Sequence, residues 1–213
     1  MRLDERSRRW VRWAPALAAL GILAGCANPL YWPERIRYTY RLAMAEPVQA
    51  DAHAYEDESI FIRFQFYETE IAFHLRNKTN RLLTILWDDS RYVTETGAAK
   101  RVFHKEIRVR NRYRPQPPSV IPARAVLDDH VVPSDNISEG FFRVEYLPLL
   151  PVWDYPDEFY LLGGRAAADR SAERRRATAA SLEGRTIGLD LAMEVNEKVK
   201  TYRFRFRVEV VRR

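Results

Sequence analysis

Thr201-Tyr202-Arg203-Phe204-Arg205-Phe206-Arg207-Val208-Glu209-Val210 alternates apolar and charged side chains. Phe204, Phe206, Val208 and Val210 fall on one side, and three arginines with a glutamate fall on the other. A period of two is that of a β-strand with one face in a core and the other in water. Just upstream, Ile187, Leu189, Leu191, Met193 and Val195 alternate with Gly188, Asp190, Ala192 and Glu194, and Asn196-Glu197-Lys198 separates the two runs. The pair predicts a hairpin near the carboxy terminus.

The same rhythm returns upstream. Ile60, Ile62, Phe64 and Phe66 form one run, Ile71, Phe73 and Leu75 a second, and Leu83, Ile85 and Trp87 a third. The polar cluster Asn77-Lys78-Thr79-Asn80 lies between the last two and suits a turn, because asparagine bonds its own backbone and tolerates left-handed geometry. Ile36, Tyr38, Tyr40 and Leu42 suggest a further strand, with weaker ones at 102–103, 107–109, 120–127 and 142–146. About eight short strands with polar turns and little helix imply an all-β, antiparallel sandwich.

Two stretches break the alternation. Residues 147–160 carry Pro148, Pro151 and Pro156, and proline has no N–H to give a central ladder. Residues 163–185 are rich in alanine and arginine, and 166–182 could form a surface helix. Both read as one insertion, at about 147–185, in a single domain spanning 36–213.

Arg2, Arg6, Arg8, Arg9 and Arg12 precede a short apolar run at 14–25. This has the charge and length of a cleaved export signal, since a membrane-spanning helix needs about 20 apolar residues. The run closes on Leu23-Ala24-Gly25-Cys26, which resembles the lipobox of bacterial lipoproteins. That resemblance implies removal of residues 1–25, acylation of Cys26, a tether at 26–35, and attachment to the membrane through the acyl chains. Ala27 follows the cysteine, which in such lipoproteins implies the outer membrane of a Gram-negative envelope, facing the periplasm. Ser7-Arg8-Arg9 leaves the twin-arginine route open beside general secretion, although Val11-Arg12-Trp13 departs from that motif. Tyr31-Trp32-Pro33 lies near enough to Cys26 to rest among lipid headgroups.

Cys26 is the only cysteine of 213 residues, so no intramolecular disulfide can form and the apolar core must carry stability. Five of the 35 basic and two of the 29 acidic residues lie in 1–25, so the net charge of the mature chain falls from +6 to +3. Phe73-His74-Leu75-Arg76-Asn77-Lys78-Thr79-Asn80 followed by Leu83-Thr84-Ile85-Leu86-Trp87-Asp88 resembles the strand-turn-strand of immunoglobulin-like sandwiches in bacterial lipoproteins and LEA-type domains. It implies a fold, not an activity.

Signs of chemistry are sparse. His53, His74, His104 and His130 are far apart, without the spacing of a metal site, and no Gly-x-Ser-x-Gly elbow or phosphate loop occurs. Asp128-Asp129 could orient His130 for acid-base work, although a loop ahead of Pro133 explains the trio as well. Glu68 with Glu70, or Asp88 with Asp89, could be proposed as a glycosidase pair, but acidic neighbours are common in turns. The expectation is a protein that is not an enzyme and uses no cofactor or metal.

Arginine marks the candidate contact surfaces. Arg101, Lys105, Arg108, Arg110, Arg112 and Arg114 cluster, Arg170, Arg174, Arg175 and Arg176 crowd the insertion, and Arg203, Arg205 and Arg207 share a strand face. Of these, Arg108, Arg110, Arg112, Arg203, Arg205 and Arg207 are the candidate anion contacts. In a periplasm the anion is a glycan or lipid and not a nucleic acid; a solvated outer face is the simpler reading of the same residues. Trp153, Tyr155, Phe159 and Tyr160 are candidate contacts for another envelope protein. The sequence therefore favours a binding domain in envelope assembly or maintenance through protein contact, then a module for anionic glycan or lipid, then an enzyme with an unrecognised site.

Overall fold

The two runs of the carboxy-terminal hairpin form the longest strands among the described residues. The computed structural model describes residues 38–50, 52–140, 144–150, 177 and 179–212. Among them are β1 (Thr39–Glu46), β2 (Ala54–Glu56), β3 (Ile60–Phe66), β4 (Ile71–Asn77), β5 (Leu83–Ile85), β6 (Arg91–Val93) and β7 (Ala99–His104). There follow β8 (Ser119–Ile121), β9 (Val126–Pro133), β10 (Ile137–Glu139), β11 (Val144–Tyr146), β12 (Thr186–Val195) and β13 (Lys198–Arg212). Every pairing is antiparallel, and the fold is all-β. No described helix is long and apolar enough to cross a membrane.

β12 and β13 pair without a slip from Thr186 opposite Arg207 to Val195 opposite Lys198. Asn196 and Glu197 turn the chain with φ of 51° and 65°, the double left-handed geometry that lets a two-residue loop follow strand twist. One layer then runs β1-β13-β12-β6, with β5 also on β12 and β8 on β5. The other runs β2-β3-β4-β9-β7. β7 joins the two layers: 99–101 pair with β6, and 102–104 pair with β9. A strand that changes sheets in mid-course makes a corner. Away from that corner, His53 Nε2 lies 2.8 Å from the Leu42 carbonyl of β1, and the His53 ring packs edge-on against Phe66 at 5.1 Å.

The layers meet through aromatic rings. Phe64 lies 4.7 Å from Phe204 and 5.1 Å from Phe206, and Phe66 lies 4.6 Å from Phe206, all edge-on. Ile60, Ile62, Leu75, Leu83, Ile85, Trp87, Leu189, Leu191, Met193 and Val208 complete a fully buried core. Removing each such side chain from water contributes about 1.5–3 kcal/mol, which is how a described core without disulfides holds together.

Several local expectations are corrected. The run ending at Trp87 is a strand only for Leu83–Ile85, and Trp87–Asp89 is a 3₁₀ turn. The expected strand at 107–109 is replaced by turns and a 3₁₀ segment at Val109–Asn111. The stretch 120–127 divides at Pro122, where Ala125 donates to the Pro122 carbonyl and Arg124 takes φ of 63°. Asp128, Asp129 and His130 lie inside strand β9, not in a loop. β2, β6 and β10 were not expected, because three residues carry no readable period. Of the expected helix at 166–182, only Ala177, Ala179 and Ala180 are described as helical. Leu149 and Leu150, from the proline-rich stretch, are buried in the core.

Candidate functional site

Strand register assembles a polar groove on the outer face of β3, β4 and β9. Ile62, Phe64, Phe73 and Leu75 point into the core, so Arg63, Gln65, Ala72 and His74 point out. Arg63 stands opposite His74, and His74 opposite Asp128, which makes one row across three strands. The adjacent row is Gln65, Ala72 and His130. Ala72 is too small to fill its place between two longer side chains. The dent over it belongs to a groove of about 400 Å³, which Lys105 closes from the end of β7.

Each titratable group here has an identifiable neighbour or none. His74 Nδ1 lies 2.8 Å from Asp128 Oδ1, and His130 Nε2 lies 3.7 Å from Glu70 Oε2. Phe61 bounds the end of the His74 row, edge-on to that ring at 6.5 Å and beneath the Arg76 guanidinium at 5.5 Å. Arg63 and Lys105 form no ion pair among the described residues. The groove thus holds two exposed cations that no described carboxylate pairs with, alongside Asp128 and Asp129 in its lining.

Beneath the groove lies a buried pair that positions it. Asp129 is on the core side of β9, with His104 Nδ1 at 3.0 Å from its Oδ2. Its Oδ1 accepts the backbone N–H of Lys105 at 3.1 Å and of His130 at 2.7 Å. One buried carboxylate therefore fixes the backbone of two groove residues on separate strands. The His104 ring stacks on Trp87 at 4.3 Å with 8° between planes, and Trp87 Nε1 donates to Ser119 Oγ at 2.9 Å. His104 Nε2 is buried without a hydrogen-bond partner. No group of three or more His, Cys, Asp or Glu among the described residues could hold a metal.

The arginines named from sequence are placed differently. Arg112 pairs with Glu139 and bonds the carbonyls of Ser134 and Val109. Arg205 pairs with Asp190, and Glu209 takes Arg41 at 2.9 Å and Arg207 at 3.4 Å. Three of the six candidate anion contacts, Arg112, Arg205 and Arg207, therefore already touch a carboxylate within the fold, although Arg207 shares Glu209 with Arg41. Arg108, Arg110 and Arg203 are exposed, and none lines the groove. Lys105 is the one member of the central basic cluster brought into it. Asp88, once a possible carboxylate partner of Asp89, instead pairs with Arg101 and accepts the Gln116 N–H. Cys26, Trp153, Tyr155, Phe159 and Tyr160 lie outside the described residues, as do Arg170, Arg174, Arg175 and Arg176.

Sequence reasoning missed Arg63, Gln65 and Ala72 as site residues. The only available signal was that they are the outward positions of β3 and β4, and that signal says nothing of which cross-strand neighbours they meet. Comparison of the chain with family models, curated proteins and solved structures finds no match.

Proposed function

We propose that this protein is a lipid-anchored binding module of the bacterial envelope, which captures an anionic envelope component in the groove of β3, β4 and β9. The observation that carries the reading is the pair of exposed cations, Arg63 and Lys105, set in a concave surface and in no ion pair among the described residues. An anion entering there meets charge that is not already spent, unlike an anion approaching Arg205 or Arg207. The lipid anchor rests on Leu23-Ala24-Gly25-Cys26, and residence in the outer membrane on Ala27.

A non-catalytic role is favoured by what lines the groove. His74 and Asp128 have the geometry of an oriented imidazole, but no serine, threonine or cysteine nucleophile stands among the lining side chains. The two carboxylates nearest each other, Asp128 and Asp129, face opposite sides of β9 and cannot flank one bond as a glycosidase pair must.

In-cell photocrosslinking tests the reading. A photoreactive residue at Gln65 should capture an envelope component, and the same residue at Arg203 should capture much less. Equal labelling from both positions, or none from Gln65, defeats the assignment. Mass spectrometry of the membrane fraction should find a diacylglyceryl-modified Cys26 at the amino terminus, and Cys26→Ser should release the protein or leave residues 1–25 attached. An unmodified, uncut chain recovered from the cytosol contradicts the location.

A further inference from the structure

Resting on the groove reading above, we infer that the ligand is an acidic oligosaccharide held at two points, one carboxylate near Arg63 and another near Lys105. The sheet order β7-β9-β4-β3 separates the strands that carry these residues by three spacings, about 14 Å at the backbone. An extended ligand with charges at intervals meets both cations with neither side chain drawn in, whereas a compact anion such as a single phosphate headgroup meets both only if the two long side chains converge on it.

The surface between the cations fixes the rest of the chemistry. Gln65 offers an amide that both donates and accepts, Asp128 accepts, and the imidazoles of His74 and His130 carry one role on each ring nitrogen. Hydroxyl groups also donate and accept, so a polyhydroxylated chain can satisfy each of these in turn. Ala72 is the one small apolar side chain in the two rows. An extended peptide fits the groove poorly. Peptides that bind sheets do so by adding a strand at an edge, where backbone donors and acceptors are free, and here β4 is paired on both sides.

The carboxylates nearby do not compete for the cations. Asp128 is held by His74, Asp129 is buried and fully bonded, and Glu70 leans toward His130. Arg63 and Lys105 are balanced in formal charge by Asp128 and Asp129, so the attraction to an anion is local to the two cations at the ends of the groove.

Titration calorimetry on the full lipidated chain in detergent, with hexagalacturonate as probe, tests this. Hexagalacturonate should bind, and Arg63→Ala and Lys105→Ala should each weaken it at least tenfold while Arg203→Ala leaves it unchanged. The neutral maltohexaose should bind at least tenfold more weakly than hexagalacturonate. Arg63 and Lys105 are exposed, and coincident unfolding curves will show that the variants are folded. If hexaglutamate, or phosphatidylglycerol vesicles, bind in place of hexagalacturonate with the same dependence on both cations, the saccharide assignment falls and the groove reading stands. Loss with only one of the two variants overturns the two-point span. Binding that neither variant weakens, equal binding of maltohexaose, or no binding of any probe overturns the saccharide assignment, and the first and last of these overturn the groove reading with it.

Discussion

The two outer faces of the molecule use charge in opposite ways. On the β1-β13-β12 face, arginines are numerous and most touch a carboxylate: Arg205 lies on Asp190, and Arg41 and Arg207 share Glu209, while Arg203 is exposed. On the β3-β4-β9 face cations are few, yet Arg63 and Lys105 stand around a dent in no ion pair among the described residues. Cation count along the sequence is therefore a poor guide to where an anion binds. Availability is set by the carboxylate that register places opposite each one.

A small-to-larger substitution separates the faces most sharply. At Gly188 an added Cβ would come within 2.6 Å of the Phe204 carbonyl and 2.7 Å of Arg205 Nη1, so the backbone of two strands must move. Gly188→Ala should cost about 1–3 kcal/mol in urea unfolding. The outward Ala72 has open groove above it, and Ala72→Val should leave the unfolding midpoint nearly unchanged while abolishing hexagalacturonate binding. A large stability loss at Ala72 would erase the contrast.

Truncating one arginine on each face comes next. Arg205→Ala leaves Asp190, only 19% exposed, without its partner and should cost about 1–2 kcal/mol. Arg63→Ala removes no ion pair among the described residues and should stay within about 0.5 kcal/mol of the parent. The same denaturation series reads both. Equal costs would mean that Arg63 is structurally engaged and the cation is not free.

Asp57 ties the layers together near the turn into β3. Burial works to raise its carboxyl, but the N–H groups of Ile60 and Ser59, with Lys200 and Tyr202, outweigh burial and hold it below the usual 3.8. A carboxylate lowered in the folded state stabilises above its unfolded pKa and loses that contribution as pH falls through the folded one. The stability gap between the parent and Asp57→Asn should therefore be full at about pH 6 and close below about pH 4. A gap independent of pH would assign Asp57 a purely geometric role.

A small effect of opposite sign is expected at the hairpin tip. Glu197 holds φ of 65° with a side chain, and glycine reaches that region without steric cost. Glu197→Gly should raise stability by about 0.5–1 kcal/mol, since its ion pair with Arg81 is 3.5 Å long and largely exposed. Unchanged or lower stability would show that the pair matters more than the turn.

Periodicity located the long strands because alternate residues of β3, β4, β12 and β13 choose between core and water one at a time. Where a strand is three residues long, or where an inward position is polar, the pattern is silent. Asp129 shows this well: it faces the core, where His104 satisfies it, and so β9 reads as a loop. His74 and His130 were visible as residues, but their pairing with Asp128 and Glu70 was not.

By itself the sequence determined an all-β antiparallel chain, a core without disulfides, and the lipobox-like Leu23-Ala24-Gly25-Cys26, because these depend on residue type and local spacing. Tertiary structure alone decided which charges remain free. Arg63, Lys105 and His130 come from distant stretches, and only the ladder of β3, β4, β9 and β7 sets them around Ala72. A strand fixes the side on which a residue points; its neighbours across the sheet depend on register, which is settled when the whole core packs.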